Sequence, residues 1–221
     1  MLFPTRRTSR PSVARAAAWL CCLCLGAAGA AYVNDFSAAE VGKPPADFAG
    51  AGGGAFTVVE RDGNKVLELP GEPLDIFGML FGPQQPPEAT VSARIQSESI
   101  GRRFPEFGIG LGDIGGYKLM LLPGQKKLEL RKGDDAVASA DLPQPWESGS
   151  WTALRLQVRR VADGRWKVEA KAWPAKEPEP QAWPVSLDAS EAPPAGRASL
   201  WAIPFSGKPI RFDDLRVDPP K

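Results

Sequence analysis

Apolar and polar residues alternate in short runs along most of this 221-residue sequence. The clearest runs lie at 91–96, 154–159 and 166–173, where a period of two places alternate side chains on opposite faces of a β-strand. Turn residues such as Asp62-Gly63 and Pro123-Gly124 separate the runs, and no segment after residue 30 has the caps and period of a long helix. The pattern predicts an all-β fold, namely a two-sheet antiparallel β-sandwich of the jelly-roll kind.

The first thirty residues have the composition of an export signal. Four arginines and no acidic residue precede an apolar run at 16–28, which ends in the small residues Ala28-Gly29-Ala30 that signal peptidase needs. The sequence therefore predicts a signal peptide over residues 1–30 and a secreted or periplasmic protein, exported from a bacterial cytoplasm. An uncleaved anchor is the alternative, but the run is shorter than the roughly 20 residues of a membrane span, so no span is expected after cleavage.

Residues 31–221 are expected to form a single β-sandwich domain, because strands on both sides of the Pro-rich stretches are needed to complete one core. The chain has no histidine, and its three cysteines all lie in the predicted signal peptide. Histidine-based triads are therefore excluded, as are thiolate nucleophiles and disulfides in the mature chain. Lysine and arginine number 27 against 26 acidic residues, so no general basic character points to nucleic acid as a partner.

Three motifs carry a family resemblance. They are Asn34-Asp35-Phe36 near the start, the W-x-x-L-x-L run at 151–156 and the closing F-D-D-L-R-V run at 212–217. With these motifs the layout resembles the concanavalin A-like lectin/glucanase superfamily, in its laminin-G-like jelly-roll branch. The nearest named group is the 3-keto-disaccharide hydrolase domain family. The resemblance implies a carbohydrate ligand, or a hydrolase or lyase activity on a modified disaccharide.

The Asp213-Asp214 pair breaks the alternation of the last run. Ile210 and Phe212 share one phase, and Leu215 resumes it one residue late, which is the pattern of a β-bulge. The resemblance also implies a structural calcium ion, held by an acid of this final strand and one near the N-terminus, which here are Asp213 and Asp35. Capping of loop amides is the alternative role for these carboxylates.

Charged side chains are expected on the polar face of the central strands. Arg94, Glu106 and Lys118 each occupy the phase that points away from the core. On a curved sheet such side chains can hydrogen-bond sugar hydroxyls, and a merely hydrated face is the alternative. Gly108 and Gly110 leave one face of their own strand without side chains, so that either another segment of the protein or a flat ligand can pack there.

Two tryptophans are candidates for stacking on a sugar ring. Trp173 lies in the polar phase of its run, and Trp183 follows in a Pro-rich loop. A half-exposed indole offers a flat apolar surface and an N–H donor, whereas packing of the loop over the strand is the alternative. Three other tryptophans are expected to pack in the core or at strand ends: Trp151, Trp166 and Trp201.

Three functions follow from these features. The first is a secreted carbohydrate-binding domain without evident catalytic machinery, whose site combines Trp173 or Trp183 with Arg94, Glu106 and Lys118. The second is a hydrolase or lyase, but the acids with suggestive spacing, Glu60 with Asp62 and Glu177 with Glu179, are expected to be solvated surface. The third is a structural or protein-interaction module of the cell envelope.

Overall fold

The computed structural model describes residues 30–220, so the predicted signal peptide lies outside it except for Ala30. Within this range the chain forms fifteen strands, which are β1 (Tyr32–Asn34), β2 (Ala49–Gly50), β3 (Thr57–Arg61), β4 (Asn64–Leu69), β5 (Phe77–Gln85), β6 (Ala89–Gln96), β7 (Glu106–Leu111), β8 (Tyr117–Leu122), β9 (Lys127–Lys132), β10 (Asp135–Asp141), β11 (Thr152–Ala162), β12 (Arg165–Pro174), β13 (Val185–Ala189), β14 (Gly196–Ile203) and β15 (Ile210–Asp218). A 3₁₀ turn covers Pro123–Gln125. No helix in the described part of the chain is long and apolar enough to cross a membrane.

The strands form two antiparallel sheets. The eight-stranded sheet has the order β13-β12-β11-β6-β15-β4-β3, with β1 also paired to β15. The seven-stranded sheet has the order β10-β9-β8-β7-β14-β5-β2. One core cluster of buried side chains draws on both sheets. The predicted all-β, two-sheet antiparallel sandwich is confirmed.

Period-two burial explains how each sheet covers the core. In β6 the side chains of Val91, Ala93 and Ile95 are at most 3% exposed, whereas the residues between them are partly exposed. Phe212 of β15 lies beside Ile95 and is fully buried. Each strand therefore contributes its apolar phase to the core and its polar phase to the outer face of its sheet.

Two local features fix the register around the site described below. Asp62 and Gly63 both have positive φ, the turn geometry that suits a two-residue hairpin between β3 and β4. The register of β15 against β6 shifts between Asp213 and Arg216, and Asp214 also has positive φ. The hairpin and the bulge are both where the sequence predicts them.

The expectation of one shared polar face is wrong. Arg94 lies on β6 in the eight-stranded sheet, whereas Glu106 and Lys118 lie on β7 and β8 in the seven-stranded sheet. The connection at 97–105 carries the chain from one sheet to the other. Alternation identifies which side chains leave the core but not the sheet from which they leave, so these charges lie on opposite outer faces of the sandwich.

Candidate functional site

A row of four residues crosses the outer face of the eight-stranded sheet. Trp173 pairs with Ala153, Ala153 with Arg94, and Arg94 with Asp213. Trp173, Ala153 and Arg94 each follow or precede buried residues that face the core, which turns their own side chains to the outer face, and Asp213 joins them there at the bulge of β15. The structure thus brings two predicted site residues, Trp173 and Arg94, onto one face with a single alanine between them.

Trp151 lies beside this row, two residues before Ala153 and immediately before β11. This half-buried residue lines two clefts, of about 470 Å³ on the side of Arg211 and about 380 Å³ on the side of Lys176, and also a small cavity of about 30 Å³ that it shares with Trp146 and Trp173. The guanidinium carbon of Arg94 lies 5.4 Å from the ring centroid. Trp151 lies at a strand end, as the sequence predicts, but the clefts beside it were not predicted. The signal was available, because Trp151 shares the outward phase of Arg155.

Polar side chains beside Trp151 are held in place by one another. Asp213 accepts hydrogen bonds from Arg94 Nη2 at 3.0 Å, from Asn64 Nδ2 at 2.9 Å and from the Asp214 amide at 2.8 Å. Burial raises the pKa of Asp213, and these hydrogen bonds together with the charge of Arg94 offset part of that rise. The carboxylate is only 2% exposed, so it acts as an anchor that orients Arg94 and Asn64.

A second anchored arginine lies across the larger cleft. Arg211 Nε donates to Glu68 Oε2 at 2.7 Å, and its Nη1 donates to Gln96 Oε1 at 3.2 Å. Gln96 in turn donates to the carbonyl of Gly149 at 2.7 Å. The cleft walls are therefore fixed before any ligand arrives, which lowers the entropic cost of binding.

The residues proposed for calcium do not fit that ion. A calcium site needs six to eight oxygen ligands. Asp213 instead accepts hydrogen bonds from the side chains of Arg94 and Asn64. Asp35 Oδ1 accepts hydrogen bonds from the hydroxyl and the amide of Ser37, and these bonds lower the pKa of Asp35. No group of three or more acidic, histidine or cysteine side chains within residues 30–220 is arranged to hold a metal. Amide capping, the alternative role, is what both carboxylates perform.

The Pro-rich loop after β12 is fastened over the same sheet face. Lys171 is only 4% exposed, and its ammonium lies 4.1 Å from the ring centroid of Trp183 and 5.8 Å from that of Trp173. The ammonium also donates to the Pro180 carbonyl at 2.6 Å and pairs with Glu179 at 2.7 Å. Both tryptophans are half-buried by this arrangement. A cavity of about 370 Å³ remains beside Trp173, lined largely by prolines.

Replacing Glu179 with glutamine should loosen this loop. Glu179 binds Lys171 and also Arg155, at 2.8 Å, so the change removes the charge that compensates a buried ammonium. We expect a loss of about 1–2 kcal/mol in the free energy of unfolding, and faster tryptic cleavage after Lys176. Glu177→Gln is the matched control, because within residues 30–220 the Glu177 carboxylate accepts a single side-chain hydrogen bond, from Gln144. Equal cleavage rates in the two variants would contradict a fastening role for Glu179.

The outer face of the seven-stranded sheet is filled by the protein's own side chains. Trp201 is 6% exposed, and Lys118, 4% exposed, holds its ammonium 3.7 Å from the Trp201 ring centroid. A Cβ on Gly110 would lie 3.3 Å from Trp201 Nε1, one on Gly108 would lie 2.6 Å from Met120 Sδ, and one on Gly78 of β5 would lie 3.0 Å from the Trp201 ring. The packing interpretation of the bare glycines is therefore confirmed. Lys118 faces an indole and Asp134 rather than open surface.

Glu106 lies on this second face in a charged cluster. Burial raises the pKa of Glu106, the positive charge of Arg131 opposes the rise and the carboxylate of Glu129 adds to it. Arg131 Nε is 2.6 Å from Glu129 Oε1, so its charge is already engaged. Glu60 and Asp62, the acids with glycosidase-like spacing, are both exposed on the β3–β4 hairpin, as expected for solvated surface residues.

No family model matches this sequence, and no curated protein matches it. Solved structures do match. The carbohydrate-binding module CBM66 from Bacillus subtilis aligns with a TM-score of 0.53 and 10% identity over 78% of this chain and 95% of that chain. A Bacillus subtilis protein of unknown function with a galectin-like fold aligns with a TM-score of 0.53 and 14% identity over 86% and 96%. The fold is a concanavalin A-like β-sandwich.

A third match has the same β-sandwich fold. The carbohydrate recognition domain of Emp47p aligns with a TM-score of 0.51 and 12% identity over 81% of this chain and 91% of that chain. At such identities the similarity concerns the fold. The finer resemblance to the 3-keto-disaccharide hydrolase group finds no support in these matches.

Proposed function

We propose that this protein is a carbohydrate-binding domain, formed by residues 31–221 and secreted or periplasmic after removal of residues 1–30, in which a sugar ring stacks on Trp151. The carrying observation is the half-buried indole of Trp151 between two clefts, beside arginines that are already anchored. The fold is shared with a carbohydrate-binding module and a carbohydrate recognition domain, which supports the proposal at the level of architecture. The export signal rests on the sequence.

The residues of this site are suited to recognising a sugar ring. A pyranose face is apolar and its edge carries hydroxyls, so an indole beside fixed hydrogen-bonding groups matches both parts. One stacked ring contributes about 1 kcal/mol, by analogy with aromatic pairs. Fixed polar contacts add selectivity, and the resulting affinity is expected in the millimolar to micromolar range after ordering costs.

Trp151→Ala should weaken glycan binding about fivefold, because it removes a stacking contact of about 1 kcal/mol. A glycan array identifies the ligand, and titration calorimetry measures the affinity of wild type, Trp151→Phe and Trp151→Ala. Trp151→Phe keeps a flat apolar ring and should fall between the other two. The thermal melting of Trp151→Ala should stay close to wild type, since its ring is not part of the core cluster.

Trp183→Ala is the matched control, because Trp183 lies over Lys171 on the same sheet but outside both Trp151 clefts. It should leave glycan affinity within about twofold of wild type. Undiminished binding by Trp151→Ala, together with loss in Trp183→Ala or Trp173→Ala, would move the site to the Pro-rich loop and refute the proposal for Trp151.

A further inference from the structure

The two clefts beside Trp151 constrain the ligand more closely than the proposed function does. We infer that the site, if it binds carbohydrate as proposed, takes an internal stretch of an electrically neutral oligosaccharide, with one unit on Trp151 and further units in the cleft on each side. Two independent features carry this inference. One is the shape of the surface on either side of the indole, and the other is the balance of charge along it.

The larger cleft extends away from Trp151 across several strands. Its lining passes from Gln96 on β6 to Arg211 on β15 and then to Val66 and Asn64 on β4. Neighbouring strands lie about 4.8 Å apart, so the cleft spans roughly 14 Å from β11 to β4. A single sugar unit stacked on Trp151 covers only the near end of such a length.

The smaller cleft extends from the other side of the same ring. Its lining runs through Gly149 and Ser150 to Pro174 and Lys176. The outer ends of the two clefts are exposed, at Arg61 and Asp62 on one side and at Lys176 on the other. A chain can therefore enter and leave along the surface, which is the geometry for an internal segment rather than for a chain end.

The charges around both clefts are paired within the protein. Arg94 is matched by Asp213 at 3.0 Å and by Asp214 at 2.6 Å, and Arg211 by Glu68 at 2.7 Å. The four lining cations pair with four carboxylates, and Asp62 adds a fifth carboxylate to the lining; these residues are Arg61, Arg94, Lys176 and Arg211 with Glu68, Glu147, Asp213 and Asp214.

This balance disfavours an anionic glycan. A uronate or sulfate group that approaches either arginine would lie beside the carboxylate already paired with it, and repulsion between the like charges would weaken the contact. Neutral hydroxyls can instead bond to the outward atoms of the anchored groups without breaking an ion pair. The surface therefore selects against charge while it accepts a hydroxylated chain.

Titration calorimetry with size-graded oligosaccharides tests both parts on the full mature protein. The probes are neutral gluco-, xylo- and fructo-oligosaccharides of one to six units, and oligogalacturonides of the same lengths. We expect the best neutral series to gain at least tenfold in affinity between one and three units and to level off thereafter. Oligogalacturonides should bind at least tenfold more weakly than neutral chains of equal length.

Arg61→Ala tests the outer end of the larger cleft, because Arg61 lines that end and its side chain is 56% exposed. It should weaken binding of chains of four or more units at least threefold and leave short ligands within twofold, and Arg165→Ala, an exposed arginine outside both clefts, should change neither. Full affinity for a monosaccharide, or tighter binding of uronides, would overturn this inference while leaving Trp151-dependent binding intact. Absence of binding to every saccharide would overturn the proposed function and this inference together.

Discussion

Trp201→Ala should lower the free energy of unfolding by about 3–5 kcal/mol, although Trp201 lies on the outer face of its sheet. The indole is 6% exposed and its Nε1 donates to Ser199 Oγ at 2.9 Å. It packs with Met120 and Leu122 in a second apolar cluster, separate from the sandwich core. Removing the ring would also expose the ammonium of Lys118 to a cavity instead of an aromatic face.

Urea unfolding followed by circular dichroism measures this loss, with the m-value checked for constancy. Lys118→Met is the matched control, because it keeps an unbranched side chain over the ring and removes only the charge. It should cost about 0.5–2 kcal/mol, the worth of a partly desolvated cation–π contact. A loss below about 1 kcal/mol for Trp201→Ala would show that the packing of the indole contributes little to stability, and this face would again be a candidate for ligand binding.

Much of the fold could be predicted from local sequence patterns, because the three-dimensional structure keeps the strand, hairpin and bulge that these patterns indicate. Alternation at 91–96 predicts β6 because every second residue there is buried. Asp62-Gly63 predicts the first hairpin because both positions need positive φ, which this pair tolerates. Asp213-Asp214 predicts the bulge because the apolar phase shifts by one residue across it. Each of these signals lies within a few residues of its consequence.

Features that depend on distant segments could not be predicted in the same way. The residues of β5 do not alternate between apolar and polar, because both faces of this strand are covered. Phe77 and Met79 enter the core, whereas Gly78 lies beneath Trp201 on the other face. The burial of Trp201 depends on glycines from two other strands. The separation of Arg94 from Lys118 depends on which sheet each strand joins, and alternation carries no information on that choice.

The candidate site was predictable in part. The outward phase of Trp173 is real, and register places it one alanine from Arg94. The loop that half-covers Trp173 through Lys171 and Glu179 depends on ion pairs that sequence spacing does not reveal. Trp151 has the same outward phase as Arg155, so the period-two argument applied strictly would have nominated it alongside Trp173.

Arg94→Ala is expected to destabilise the protein in a pH-dependent way. It leaves the carboxylate of Asp213, 2% exposed, without its cation. Breaking a fully buried pair costs about 3–5 kcal/mol, and the 38% exposure of Arg94 reduces the expected loss to about 1–3 kcal/mol at pH 7. Melting temperature and urea midpoint, measured from pH 7 down to pH 4, give the size of the loss and its pH dependence.

The sign of the pH effect follows from Asp213. Burial raises the pKa of Asp213 in the folded state and Arg94 opposes the rise, so removing Arg94 raises this pKa further. Because a raised carboxyl pKa makes the folded state take up its proton first, the penalty is present above the folded pKa and disappears as pH falls through it. The difference between wild type and Arg94→Ala should therefore be largest at pH 7 and shrink towards pH 4.

Asp213→Asn provides the control for this interpretation, because it removes the buried charge and keeps a similar shape. In that background Arg94→Ala should cost less than half as much, because it breaks the ion pair with the half-exposed carboxylate of Asp214 but leaves no buried charge, and the cost should vary less between pH 4 and pH 7 than in wild type. A loss in the wild-type background that is independent of pH would instead assign the role of Arg94 to its contact with the Trp151 ring. In that case the arginine would stabilise the stacking surface directly, and its ion pair with Asp213 would be secondary.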